Sequence, residues 1–296
     1  MPRRHALLIG VESCPAADLQ GPGNDVALMR DVVCSRFGLD ARVIPNHEAT
    51  RDGILSALDA LVSSAEPNDT LLFYFAGHGT RIEQVEDEEE LVREALCPHD
   101  FAREDHSRAI RDFELHERFA KAQCRGARLT AIFDCCFSGG LAEEDVRRAL
   151  AREARENLGG LGDDLADVIE GPQIRRILPQ PCVADRLRSA VSQPAETRPL
   201  FRISEIAAVR SGGPTTVIFG ACLADALARE QRFGDEIHGV FTHHLTDVLC
   251  GTDPGITNLA VRDAVREAVR LASEDADDIQ RAILAPSDQG GLAFLA

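Results

Sequence analysis

At 296 residues, with hydrophobic side chains making up 44% of the composition, the chain is long enough to bury a substantial core as one large α/β domain or two smaller ones. Its formal net charge of −17 argues against nucleic acid or an anionic membrane surface as partner, because most of the surface would repel phosphate. No run approaches the roughly 20 apolar residues needed to span a bilayer, and Met1-Pro2-Arg3-Arg4-His5 leads straight into an apolar run, so a cytoplasmic protein is expected.

The elements alternate from the start. Residues 5–11 read as a strand, and residues 24–37 as a helix with Val26, Met29, Val32 and Val33 on one face. Ala41-Arg42-Val43-Ile44, stopped by Pro45, is the next strand, followed by a helix over 50–63. Thr70-Leu71-Leu72-Phe73-Tyr74-Phe75 and Arg128-Leu129-Thr130-Ala131-Ile132-Phe133 are apolar runs with the β-branched and aromatic content of fully buried parallel strands, with a helix over 113–123 between them. This is the βαβ grammar of a mostly parallel sheet covered on both faces.

From about 141 to 199 the character changes to Glu, Asp and Arg followed by Gly and Pro, which reads as a long exposed connector with a charged helix over 143–157. The sheet pattern resumes at Pro214-Thr215-Thr216-Val217-Ile218-Phe219-Gly220-Ala221-Cys222, helices are expected over 241–249 and 257–272, and Gly291-Leu292-Ala293-Phe294-Leu295 is read as a last strand. Nine cysteines without paired metal-type spacings point to reduced thiols. Cys34, Cys124, Cys222 and Cys250 are expected as small buried hydrophobes.

Two short motifs close the two central strands: Ala76-Gly77-His78-Gly79, and Asp134-Cys135-Cys136-Phe137-Ser138-Gly139. Residues at the carboxyl ends of parallel strands face the usual ligand crevice. An imidazole and a thiol placed there are the pair a cysteine peptidase needs, with backbone donors for the oxyanion of the tetrahedral intermediate. His78 and Cys136 are 58 positions apart (136 minus 78), which one strand-helix-strand excursion would place on neighbouring strand ends. Alternation sends Cys135 to the side opposite Cys136, so Cys135 is expected to pack.

These residues resemble the caspase-like peptidases of the metacaspase and prokaryotic caspase (orthocaspase) type. The Gly-His-Gly element is similar to that of the family, and Asp134, Cys135, Cys136, Ser138 and Gly139 match its cysteine element, with Phe137 standing where the family often has His. Leu19-Gln20-Gly21-Pro22-Gly23-Asn24-Asp25-Val26, Cys97-Pro98-His99-Asp100, residues 217–230 and Gly239-Val240-Phe241-Thr242 look like further family elements. The resemblance implies a caspase-hemoglobinase-like α/β fold with about six mostly parallel strands and helices on both faces. It would form one domain over 1–296: a large-subunit-like part at 1–140, the connector at 141–199 and a small-subunit-like part at 200–296.

The same resemblance implies a cysteine endopeptidase with Cys136 as nucleophile, His78 as its proton-transfer partner and the N–H groups of Gly79 and Cys136 as the oxyanion hole. Asp25 and Asp134 match the carboxylates that bind Arg or Lys before the cut, where charge-assisted, bidentate hydrogen bonds would select a basic side chain. Such an enzyme would be a regulated zymogen. Arg147, Arg148, Arg152, Arg155, Arg175, Arg176, Arg186 and Arg188 are candidate processing sites in the connector. Its partners would be proteins with exposed Arg or Lys sites and an upstream activating protease or regulator, in a bacterial stress, cell-death or antiviral pathway. No cofactor is required. Some relatives depend on Ca²⁺, and Asp87, Glu88, Glu89, Glu90, Asp100, Glu143 and Glu144 offer hard oxygen ligands without forming a clear site. The competing reading is a catalytically silent caspase-like binding or scaffold module.

Overall fold

The structure, a computed structural model, describes residues 2–86, 89–135, 216–221, 228–272, 283–285 and 291–295. Strand β1 (Arg4–Gly10) is followed by the short β2 (Ser13–Cys14) and β3 (Ala17–Asp18), then helix α1 (Pro22–Phe37). Proline at N1 of α1 sacrifices no helical hydrogen bond, and Gly38, at φ 64°, ends the helix in the left-handed region that glycine enters without strain. Next come β4 (Asp40–Ile44) and α2 (Arg51–Ser63). The Thr50 side chain caps α2 by accepting from Gly53 N at 3.2 Å.

Strand β5 (Thr70–Ala76) leads into the antiparallel set β6 (Gly79–Glu86), β7 (Glu89–Leu96) and β8 (Ile110–Arg111). Helix α3 (Asp112–Cys124) and β9 (Arg128–Asp134) follow. The second half contributes β10 (Thr216–Gly220), the hairpin β11 (Glu230–Phe233) and β12 (Glu236–Gly239), helices α4 (Val240–Gly251) and α5 (Asn258–Ala272), and β13 (Ile283–Ala285).

The central sheet has six strands in the order β13-β10-β9-β5-β1-β4; all are parallel except β13, which runs antiparallel beside β10. Alternation along the buried strands divides the core. Leu71, Phe73 and Phe75 point into a cluster with α2 and α3, while Leu72, Tyr74 and Ala76 face α1, α4 and α5. Every residue of β5 is buried, as expected for a central strand covered on both sides.

Two sequence expectations are corrected here. Residues 291–295 do not form a strand: Phe294 N donates to Ile256 O at 2.7 Å, Ala293 makes one isolated bridge to Thr257, and the edge strand is β13 instead. The apolar character of that segment comes from Phe294, whose ring packs edge-on against Phe37 and Phe219. Cys34, Cys124 and Cys250 are exposed rather than buried. Helical phase explains Cys34 and Cys250, because the buried faces of α1 and α4 are made by other positions. Cys14, Cys34, Cys97, Cys124 and Cys250 are free thiols, and Cys222 lies outside the described residues.

Candidate active site

Strand β5 stops at Ala76, and the backbone continues the sheet for one more step on each side. Val11 N donates to Ala76 O at 2.9 Å, and Gly77 N donates to Asp134 O at 3.2 Å. Glycine at 77 suits this close packing, since a Cβ there would lie 3.0 Å from the Phe75 ring and 3.2 Å from Val11 Cβ, so either neighbour would have to give way. His78 follows at the carboxyl end of the sheet and is 3% exposed. Its carbonyl accepts from Cys97 N at 3.0 Å, which makes the Gly79–Leu96 pair of β6 and β7 a non-hydrogen-bonded one. The Gly79 N–H therefore points away from β7.

The β5–β9 ladder pairs Thr70 with Arg128 and Ala76 with Asp134, an offset of 58 positions (128 minus 70). That offset equals the separation of His78 and Cys136 in the sequence. Cys136 itself lies outside the described residues, as do Ser138 to Gly140 and the connector with Arg147, Arg148, Arg152, Arg155, Arg175, Arg176, Arg186 and Arg188. Cys135 is buried in the cluster with Phe73, Phe75 and Phe133, the packing role expected of it.

Asp25 and Asp134 both reach the amino end of α4. Asp134, fully buried, accepts from Thr242 Oγ1 at 2.6 Å and from Thr242 N at 3.2 Å. Because that hydroxyl proton goes to the carboxylate, the Tyr74 phenol donates to Thr242 Oγ1, at 2.7 Å. Asp25, in the first turn of α1 and also fully buried, accepts from Gly239 N at 3.0 and 3.1 Å and from His238 Nδ1 at 3.2 Å. Gly239 is the N-cap of α4 and Thr242 lies in its first turn, so the first N–H groups of the helix and the positive end of its dipole compensate both carboxylates. The hydrogen bond to Asp25 lifts the His238 imidazole above its ordinary pKa range, although burial pulls the other way.

Sequence reasoning did not identify His238, Thr242 and Tyr74 as the partners of these carboxylates, nor Glu230, whose buried side chain accepts from Gln20 N and Gly21 N at 3.2 and 2.9 Å. The β11–β12 hairpin, which the sequence analysis did not place, carries a local turn signal, since Gly234-Asp235 is a two-residue turn with Gly234 at φ 61°. The long-range partners had no local signal. Of the calcium candidates, Asp100 is engaged by Arg51 N at 2.8 Å and Arg108 Nε at 2.7 Å. Asp87, Glu88, Glu143 and Glu144, and the side chains of Glu89 and Glu90, lie outside the described residues.

Residues 4–144 match the family description "Metacaspase, peptidase C14 domain". The chain is 37% identical over 153 residues to metacaspase-1 of Schizosaccharomyces pombe and 38% identical over 148 residues to metacaspase-1 of Sclerotinia sclerotiorum, covering 47% and 46% of this chain. Each alignment covers 34% of the relative, so the chain matches about a third of the length of these proteins. Among solved structures, a Geobacter sulfurreducens protein superimposes with a TM-score of 0.62 at 17% identity, over 98% of this chain and 97% of the other. Caspase-1 from Spodoptera frugiperda does so with a TM-score of 0.53 at 12% identity, over 96% and 86%. At these identities the superpositions establish the fold alone.

Proposed function

Because residues 4–144 match the metacaspase peptidase C14 domain and the fold superimposes on a caspase, we propose that the chain is a cysteine endopeptidase that cleaves proteins after Arg or Lys through Cys136 and His78. The observation that carries this reading is the ladder offset of 58, the same as the separation of these two residues, together with the position of His78 at the carboxyl end of β5. In the reaction, the thiol proton of Cys136 passes to His78 while the sulfur attacks the scissile carbonyl carbon. The oxyanion is held by the N–H groups of Gly79 and Cys136. The C–N bond then breaks as His78 protonates the leaving amine. Water, deprotonated by His78, attacks the thioester and releases the acid product, returning the proton to the thiolate. The N–H direction of Gly79, away from β7, supports its share of the oxyanion hole.

Asp25 and Asp134 would read the basic side chain. Both are committed to the amino end of α4, so an incoming guanidinium has to displace or open the Gly239–Thr242 segment. That closed arrangement supports a zymogen, released by cleavage in the connector at one of its arginines or by a regulator. A cytoplasmic setting and a single domain over 1–296 complete the reading.

Incubation of the wild type, Cys135→Ala and Cys136→Ala with a peptide library, read by mass spectrometry, tests it. The expected result is cleavage after Arg and Lys by the wild type and Cys135→Ala, and none by Cys136→Ala. Persisting cleavage in Cys136→Ala overturns the nucleophile. Equal cleavage after Asp and Arg overturns the acidic pocket.

A further inference from the structure

Helix α4 carries a second constellation on its outward side. His243, His244 and Asp247 each offer a ligand atom, and these atoms all lie within 4.8 Å of one another. Asp247 lies one turn beyond both imidazoles, at i+4 from His243 and i+3 from His244, and His243 Nε2 is already 3.5 Å from Asp247 Oδ2. Both imidazoles are partly buried, and His243 Nδ1 and His244 Nε2 are shielded from solvent with no hydrogen-bond partner among the described residues. Asp247 is largely exposed, its side chain at 69%.

The surroundings hold these rings in place. Phe233 stacks on His243 with centroids 3.6 Å apart and 14° between planes, and it meets His244 edge-on at 5.8 Å. The two imidazoles are 5.3 Å apart at 75°. Burial holds His243 below its ordinary pKa; burial and then the neighbouring His243 do the same for His244.

The geometry points to a divalent transition-metal site of the zinc class, formed by His243, His244 and Asp247, with a fourth position left to water. Two imidazoles and one carboxylate suit Zn²⁺, whereas Ca²⁺ and Mg²⁺ prefer all-oxygen shells. Zinc–ligand bonds of about 2.0 Å set tetrahedral ligand atoms about 3.3 Å apart, so the widest gap must close by no more than about 1.5 Å. Rotation of the exposed Asp247 side chain and small ring adjustments supply that movement. The Phe233 stack holds the plane of the His243 ring. Thr242 and Gly239, which hold Asp134 and Asp25, lie in the same first turn and cap of α4. A bound ion therefore fixes the segment that closes over the two carboxylates. The site stands apart from the peptidase reading, because its test measures metal and not cleavage.

The experiment titrates the full-length reduced chain with Zn²⁺ by calorimetry and with Co²⁺ by visible absorption. The expected result is one equivalent bound, with ligand-field bands of nitrogen and oxygen coordination and without sulfur-to-cobalt charge transfer. His243→Gln, His244→Gln and Asp247→Asn should each weaken this binding tenfold or more, and Cys250→Ser, one turn further along α4, should leave it unchanged. Asp247→Asn is the variant least able to disturb folding, and circular dichroism verifies the helix content of all four. Undiminished binding in Asp247→Asn and His244→Gln overturns the site, as does a sulfur charge-transfer band that disappears in Cys250→Ser.

Discussion

Thr242 is the point where the sequence-remote halves of the candidate pocket are joined, and Thr242→Val tests its energetic role. The substitution keeps the shape and removes one hydroxyl. Its bond to the buried Asp134 carboxylate is worth about 1.5–3 kcal/mol, as for hydrogen bonds to charged groups. Loss of the bond from the fully buried Tyr74 phenol adds about 0.5–1.5 kcal/mol. The new buried methyl returns about 0.8 kcal/mol. The expected net destabilisation is about 1–4 kcal/mol. Tyr74→Phe removes only the outer bond and should cost about 1 kcal/mol. Since the Tyr74–Thr242 bond is lost in either variant, the double variant should be less destabilised than the two singles summed. Urea unfolding followed by circular dichroism in a Cys136→Ala background, which excludes self-cleavage, reads these differences at constant m. A change below about 0.5 kcal/mol for Thr242→Val, at unchanged m, refutes the chain of bonds that gives Thr242 this role.

Glu94 is buried beside Asp112 and opposite Arg81, and burial, the larger effect, pushes its carboxyl up to about 8. The folded state therefore holds a proton that the unfolded state releases above about 4.5. Stability falls as pH rises between these two values, with a limiting slope of about 1.4 kcal/mol per pH unit. Glu94→Gln should therefore flatten the decline in melting temperature and exceed the wild type at about pH 8. Asp69 is the opposite case: burial alone would raise its carboxyl, but hydrogen bonds from Glu66 N and Arg3 N and the Arg3 guanidinium hold it below the ordinary value. Its contribution is present above about pH 4 and disappears in acid as the carboxyl protonates. Melting curves of wild type and Asp69→Asn should differ at about pH 7 and approach one another below about pH 3. Glu230→Gln replaces a carboxylate that accepts two backbone N–H groups ahead of α1; a loss of about 1–3 kcal/mol and faster hydrogen exchange at Gly21 are expected, and unchanged exchange there would remove Glu230 from that role.

The alternation of apolar runs and the glycines around His78 are local physics, and they made the parallel sheet and its functional end readable from the chain alone. The sequence also determined the separation of 58 between His78 and Cys136, and the ladder register repeats it because paired parallel strands keep one constant offset along their length. Edge elements were less legible. The apolar 291–295 segment and the three-residue β13 carry too few residues for a period to decide between pairing and plugging. Exposure of Cys34 and Cys250 turned on helical phase, which a residue's average burial does not encode. What only the tertiary structure decided is the company of the two carboxylates. Asp25 and Asp134 stand 109 positions apart (134 minus 25) in sequence and meet one helix terminus more than 100 positions further on. Hydrogen bonds of that span arise from how β9, α1 and α4 pack across one face of the sheet, and no local pattern of residue types records them.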